Sequence, residues 1–210
     1  ASQNFDSIMQ PDAIMVVGAN PTEGHPVFGS QLKRRVRQGA KLIVIDPRRT
    51  ETVRSAHVEA AVHLGLRPGT NVAVLNSISH VIVREKLYNE AFIRARCEWH
   101  EFEHWCELVG ADRYAPEVIG PQAGLDPADI RRAARLYATG PNSAIYYGLG
   151  VTEHSQGSTG VMCLGNLSLA CGMLGREGVG VNPLRGQGNV QGGSCLGSWP
   201  HVFSGYRFVT

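Results

Sequence analysis

Apolar positions in most of this chain alternate between short β-branched runs and longer stretches with helical spacing. The short runs predict buried strands at 13–18 (AIMVVG), 41–46 (KLIVID), 61–66 and 143–150 (SAIYYGLG). Strands that alternate with helices are typical of a parallel sheet covered by helices. The sequence therefore predicts an α/β fold, a Rossmann-like αβα domain with a mainly parallel sheet.

Between the strands, apolar residues recur every three to four positions and predict the covering helices. These helices are expected at 26–38, at the segment with the apolar face Val72, Leu75, Ile78 and Ile82, and at 89–97, 99–109, 127–139 and 158–174. The clearest start is at Asp126, an aspartate cap followed by proline in the first helical position. The segment leading to Gly124 and most of the chain after Gly175 are predicted to be loop.

The change in composition at Gly175 predicts two units. Residues 1–175 form the α/β domain, and residues 176–210 form a glycine-rich loop segment that connects to a neighbouring domain, because so long a stretch without periodicity is not expected to fold alone. The chain begins with Ala1 and ends without a helix cap or a charged tail. We therefore expect it to be an internal piece of a longer protein.

Charge and cysteine content narrow the functional classes. The 210 residues carry a net charge of +2, and the basic cluster Lys33, Arg34, Arg35 and Arg37 fits a solvated helix face, so no nucleic-acid surface is predicted. The five cysteines form no CxxC pair, which predicts reduced thiols, a cytoplasmic protein and no metal knuckle. No apolar run approaches the roughly 18 residues of a membrane span, so no membrane partner is expected.

The residues that follow the predicted strands have the chemistry of a nucleotide site. Ligands of doubly wound sheets bind beyond the carboxyl ends of the strands, where glycines permit close approach and carboxylates hold ribose or guanine donors. The four segments are 18–26, 46–49, 67–71 and 148–153. The G-x-G-x-x-G pattern is missing after the first strand, so this is not the usual dinucleotide fingerprint.

The segment Val181–Gly193 (VNPLRGQGNVQGG) sets Arg185 among glycines and uncharged amides. A planar guanidinium matches a carboxylate or a phosphate with two hydrogen bonds, so the segment predicts an anion site. The alternative is a surface loop with a solvated arginine. Single residues elsewhere favour structural roles: His25, His154 and His201 lack a second ligand at metal spacing, and Cys195 lacks an evident base.

Six separated motifs carry a family resemblance that covers essentially the whole chain. They are VVGANPTEGHPVFG, LIVIDPRRTET, LRPGTNVAVLN, IRRAARLYA, YYGLGVTEHSQGS and GVNPLRGQGNVQGG. In this order they resemble the molybdopterin oxidoreductases, and within them the catalytic subunits of cytoplasmic, NAD-linked formate dehydrogenases.

The resemblance implies a domain that holds one of two molybdopterin guanine dinucleotides, which together bind molybdenum or tungsten. Formate would be oxidised to carbon dioxide by hydride transfer to the metal centre. Iron–sulfur clusters would lie elsewhere in the intact subunit, beside its remaining domains and diaphorase-type electron-transfer subunits. Carried over by motif, Arg185 would orient formate, and the cofactor-binding residues would be Gly18, Asn20, Glu23, Asp46, Arg48, Gly69, Asn71, Gly150, Glu153 and Gln187.

Two departures from the family pattern qualify what the resemblance implies. The family reads R-G-Q-N-N where this chain has Gly188 in place of the first asparagine. The metal-binding cysteine or selenocysteine, its adjacent histidine and the cluster cysteines precede this segment in intact subunits, and Cys195 does not match that position. No metal ligand is therefore predicted in this chain, and the isolated segment is expected to be inactive.

Two alternatives stay open. One is another molybdopterin oxidoreductase, of the nitrate or arsenite type, although an arginine among amides in N-P-L-R-G-Q suits a small carboxylate better. The other is a stand-alone nucleotide-binding module in which Arg48 and Arg49 bind the 2′-phosphate of NADP.

Overall fold

A computed structural model describes residues 4–199 and 201–209, and within them a five-stranded parallel sheet forms the centre of the molecule. The strands are β1 (Ala13–Val17), β2 (Lys41–Ile45), β3 (Arg54–Ser55), β4 (Val58–Glu59), β5 (Val62–Leu64), β6 (Ser143–Tyr147), β7 (Gly180–Pro183), β8 (Val202–Phe203) and β9 (Arg207–Phe208). The order in the main sheet is β5-β2-β1-β6-β7. The chain thus builds outward from β1 to one side, then crosses to β6 on the other, which makes the β1/β6 boundary the switch point of the sheet.

Helices cover both faces of this sheet. They are α1 (Pro21–Gly24), α2 (Pro26–Arg37), α3 (Asn71–Arg84), α4 (Glu90–Arg96), α5 (Trp99–Gly110), α6 (Pro116–Ala123), α7 (Pro127–Thr139), α8 (Leu149–Thr152), α9 (Gly157–Ala170) and α10 (Val190–Cys195). Short 3₁₀ turns span Phe5–Met9 and Asp112–Tyr114. No helix among the described residues is both long and apolar enough to cross a bilayer.

The alternation of side chains along β1 divides the core into two layers. Met15 and Val17 pack with α3, α7 and α9 on one face, whereas Ile14 and Val16 pack with α2 on the other. All five residues of β1 are buried, as expected for a central strand of a parallel sheet. The predicted Rossmann-like αβα fold with a mainly parallel sheet is confirmed.

The segments predicted to be mostly loop contain several ordered elements, which are α6 before Gly124 and β7, α10, β8 and β9 after Gly175. Residues 116–123 form α6, which buries Ile119 and Ala123 and ends at Gly124 with φ +74°. Residues 180–183 form β7, which pairs in parallel with β6 along the edge of the sheet. The first part of the glycine-rich segment is therefore a strand of the main sheet, while the division of the chain into two units at Gly175 stays a prediction.

Candidate functional site

The loops after β1 and β6 meet backbone to backbone at the switch point. The amide of Gly150 donates to the carbonyl of Gly18 over 3.0 Å, and the amide of Gly148 donates to the carbonyl of Val17 over 3.1 Å. A Cβ atom at Gly18 would lie 2.6 Å from the carbonyl carbon of Gly150. Glycine at both positions therefore lets the two loops touch and opens a groove above them.

Asp46 lies at one end of this groove, directly after β2. Its side chain is buried, with the residue 5% exposed, and its Oδ1 accepts a hydrogen bond from the amide of Arg48 over 2.8 Å. The Arg48 guanidinium is exposed, with Nε 3.9 Å from the same oxygen. Asp46 and Arg48, together with Asn71 and Gly150, line a hollow of about 220 Å³. This hollow offers a carboxylate acceptor and an exposed guanidinium.

Helix α3 adds a favourable electrostatic field to this hollow. It begins at Asn71, which lines the hollow, and runs for 14 residues. The first amides of a helix lack intrahelical partners and carry partial positive charge. This end of the groove is therefore suited to a ligand with a phosphate group and hydrogen-bond donors.

A polar network fixes the Asn20 side chain beside the switch point. Its Nδ2 donates to Glu23 over 2.9 Å and to Glu51 over 3.2 Å, and its Oδ1 accepts from the Thr52 hydroxyl over 3.0 Å. A hydrogen bond from its own backbone and the bond from Asn20 lower the pKa of Glu51, which keeps this carboxylate ionised at neutral pH. Because these bonds occupy the amide, Asn20 stabilises the loop after β1 in the absence of a ligand.

Arg185 lies at the other end of the groove, after β7. It is exposed, and within residues 4–199 and 201–209 no carboxylate forms an ion pair with it. Its neighbours His25 and Gln191 line the same hollow of about 320 Å³, together with the buried Tyr146. Because the guanidinium keeps its charge and no described carboxylate neutralises it, Arg185 is available to an anionic ligand.

A middle hollow of about 430 Å³ adjoins both. It shares Gly18, Asn20 and Gly150 with the Asp46 hollow, and His25 with the Arg185 hollow. We call these three adjoining hollows together the edge groove. A larger apolar hollow of about 520 Å³ lies against α4, α5 and α9, and none of the predicted site residues lines it.

The edge groove brings together most of the predicted site residues. Those that line it are Gly18, Asn20, Glu23, Asp46, Arg48, Asn71, Gly150 and Arg185. Gly69, Glu153 and Gln187 are exposed outside its lining, and their roles stay predictions. Among the described residues, no three His, Cys, Asp or Glu side chains are grouped as a metal site requires.

Two histidines that the sequence assigns to structural roles also line the edge groove. His154 contributes to the Asp46 hollow, and His25 contributes to the middle and Arg185 hollows. The position of His25 directly before Pro26, at a predicted helix start, is the one signal that could have indicated it. His154 has no comparable signal, because it lies in the turn after α8.

Comparison with known proteins indicates the family in which this arrangement occurs. The family model described as molybdopterin oxidoreductase matches residues 1–204. The chain is 40% identical over 208 residues to formate dehydrogenase H of Escherichia coli, covering 99% of this chain and 28% of that protein. It is 39% identical to the F420-dependent formate dehydrogenase subunit alpha of Methanocaldococcus jannaschii, covering 99% of this chain and 30% of that subunit.

More distant relatives have other activities in their names. A nitrate reductase of Synechocystis is 28% identical, covering 98% of this chain and 28% of that protein. The solved structure of acetylene hydratase from Pelobacter acetylenicus superimposes with a TM-score of 0.65 at 28% identity, covering 80% of this chain and 21% of that one. The chain thus spans less than a third of each of these proteins. Since the family model matches nearly its whole length and the sheet carries its groove at the switch point, this chain belongs to the molybdopterin oxidoreductase family.

Proposed function

We propose that this chain is part of the catalytic subunit of a molybdenum or tungsten formate dehydrogenase that oxidises formate to carbon dioxide. The observation that carries the proposal is the edge groove, which runs from the Asp46 carboxylate to the unpaired Arg185 guanidinium. The relatives support it, because four formate dehydrogenases are 37–40% identical to this chain, whereas the nitrate reductase is 28% identical.

The residues of the groove fit one molybdopterin guanine dinucleotide. The buried Asp46 carboxylate can accept from the N1 and N2 donors of guanine or from ribose hydroxyls, and the first amides of α3 and the Arg48 guanidinium can bind phosphate. The contact between Gly18 and Gly150 leaves the groove open for a ligand between its two ends. When bound, the cofactor supplies the metal centre that accepts electrons from formate.

The role of Arg185 follows from its charge and geometry. Its guanidinium can hold both oxygens of formate, which fixes the direction of the C–H bond. Gln187, two residues later, is proposed to neighbour the pterin and the substrate. Iron–sulfur clusters, NAD as acceptor, diaphorase-type partners and a cytoplasmic location stay predictions for the whole protein.

We expect Asp46→Ala in the intact subunit to lower bound cofactor while turnover per bound metal stays near that of the unchanged protein. The carboxylate is proposed to hold the guanosine end, far from the reacting atoms. Metal and guanine nucleotide released from purified protein, measured beside formate oxidation, give both quantities. Asp112→Ala, at an exposed aspartate outside the groove, is the control.

The variant Asp46→Asn separates charge from turn geometry. Asparagine keeps an oxygen that can accept from the amide of Arg48 but removes the negative charge. We expect it to lose cofactor as the alanine variant does. Full cofactor content in Asp46→Asn would show that residue 46 only shapes the turn.

The NADP alternative makes a different prediction about nucleotide preference. Arg48 and Arg49 are both exposed after β2, where a 2′-phosphate could reach them. Fluorescence titration of cofactor-free subunit with NADPH and with guanosine diphosphate compares the two. Tight NADPH binding without guanine nucleotide binding would contradict the proposed function.

A further inference from the structure

One hydrogen bond connects residues 185–188, the segment that begins with Arg185, to the loop after β1. The His25 ring nitrogen Nε2 lies 2.6 Å from the backbone carbonyl oxygen of Arg185, across 160 residues of sequence. The ladder between β6 and β7 ends just before it, where the amide of Leu184 donates to the carbonyl of Tyr147 over 2.8 Å. Within residues 4–199 and 201–209, no other hydrogen bond joins residues 185–188 to the remainder of the chain.

Apart from the packing of Gly186 beside Leu149, where a Cβ atom would lie 3.0 Å from Cδ1, little else fixes the position of residues 185–188. All four are exposed, and Gly186 and Gly188 flank Gln187 with wide backbone freedom. A Cβ atom at Gly188 would meet no other atom within 4 Å. The orientation of the Arg185 guanidinium therefore depends strongly on whatever anchors its backbone.

His25 is well placed to be that anchor because its own backbone is held on both sides. It lies between α1 and α2, its amide donates to the carbonyl of Pro21 over 3.2 Å, and its carbonyl accepts from the amide of Gly29 over 2.7 Å. A Cβ atom at Gly29 would lie 2.6 Å from the Pro21 carbonyl oxygen, so the two helices are tightly packed. The imidazole thus projects from a rigid corner.

We propose that His25 is a positioning residue that sets Arg185 for formate through the backbone of residue 185. The proposal rests on the proposed function of Arg185. The carbonyl of Arg185 carries no proton, so the imidazole donates through Nε2–H, and both the Nε2–H tautomer and the imidazolium can do so. His25 is therefore proposed to act by holding the backbone of Arg185 in place. Because His25 also lines the middle hollow, it links the proposed cofactor loop to the substrate end of the groove.

The test uses the intact, cofactor-loaded subunit and four variants: His25→Leu, His25→Gln, Arg185→Ala and the double variant His25→Leu/Arg185→Ala. We expect His25→Leu to lower kcat/KM for formate about 3- to 10-fold per bound metal, the loss of one neutral hydrogen bond. Glutamine keeps an N–H donor and should restore most of this loss. In the Arg185→Ala background, His25→Leu should cause little further loss, because the residue that it positions is gone.

Hydrogen exchange provides a readout that does not depend on activity. Backbone amides in the peptide covering residues 184–189 should exchange faster in His25→Leu than in the unchanged protein, and His25→Gln should exchange at an intermediate rate. His100→Leu is the matched control, since this exposed histidine on α5 lies outside the edge groove.

The outcomes separate this inference from the proposed function. A large loss in Arg185→Ala together with unchanged activity and exchange in His25→Leu would overturn the role of His25 and leave the function of Arg185 intact. An undiminished His25→Leu loss in the Arg185→Ala background would also overturn it, because His25 would then act independently of the arginine. Unchanged activity in Arg185→Ala would reject the proposed role of Arg185 in holding formate, and with it the role of His25, whatever the exchange data show.

Discussion

Arg185→Ala in the intact subunit is expected to lower kcat/KM for formate on the order of tenfold to a few hundredfold. Hydrogen bonding to a charged group contributes about 1.5–3 kcal/mol, which corresponds to roughly ten- to two-hundredfold in kcat/KM, and alanine removes the guanidinium that would make this interaction. Because no carboxylate of the described chain pairs with Arg185, its removal leaves no buried counter-charge behind. The loss is therefore expected in catalysis and not in stability.

Arg185→Lys tests geometry at constant charge. An ammonium is a point charge and cannot reproduce the two parallel bonds that fix the C–H direction, so lysine should restore only part of the activity. The measurement is steady-state kinetics with formate, normalised to bound metal. If cofactor content and formate oxidation are both unchanged in Arg185→Ala, the arginine is a bystander and the site assignment is wrong.

This chain represents less than a third of the formate dehydrogenases to which it is similar. It spans 28% of formate dehydrogenase H and 30% of the F420-dependent subunits. Several of these relatives are named F420-dependent, so NAD as the acceptor does not follow from similarity to formate dehydrogenases. The acceptor proposed for the whole protein is therefore a separate question from the proposed binding of formate at the edge groove.

The sequence predicted the parts of the fold that depend on local pattern. β1, β2 and β6 are runs rich in β-branched and aromatic residues, and the predicted starts of these strands agree with the structure. The strand predicted at 143–150 ends at Tyr147, because residues 149–152 form α8. α6 was missed because Gly120 and Pro121, inside the helix, are residues that usually break helices. Its stability depends on packing against α3 and α7, which a local pattern does not contain.

β7 was missed for a related reason. Gly180, Asn182 and Pro183 have low strand propensity, and only pairing with β6 makes this segment a strand. The same limit applies to the site. Because strand ends meet at one edge in any parallel sheet, Gly18, Asp46 and Gly150 could be predicted, whereas the contact of His25 with Arg185 depends on where the chain returns 160 residues later.

Gly18→Ala is expected to be the most damaging single methyl addition at the edge groove. Gly18 has φ +55°, and its Cβ would lie 2.6 Å from the carbonyl carbon of Gly150 and 2.8 Å from the amide nitrogen of Val151. The backbone has little freedom to yield, since the Gly18 amide donates to Ile45 over 2.9 Å and its carbonyl accepts from Gly150 over 3.0 Å. Left-handed strain and the steric clash together should destabilise the domain by about 3 kcal/mol or more.

Gly205→Ala is the matched control for this prediction. Gly205 has a similar φ of +74°, but a Cβ there would meet nothing within 4 Å, so its variant carries the strain of about 1–2 kcal/mol without the clash. Thermal unfolding midpoints and cofactor content of the intact subunit are compared for both variants. We expect Gly18→Ala to unfold at a clearly lower temperature and to lose cofactor, because separating the β1 and β6 loops distorts the middle of the groove. Equal midpoints and full cofactor content in both variants would show that the close approach at the switch point is not what holds the site together.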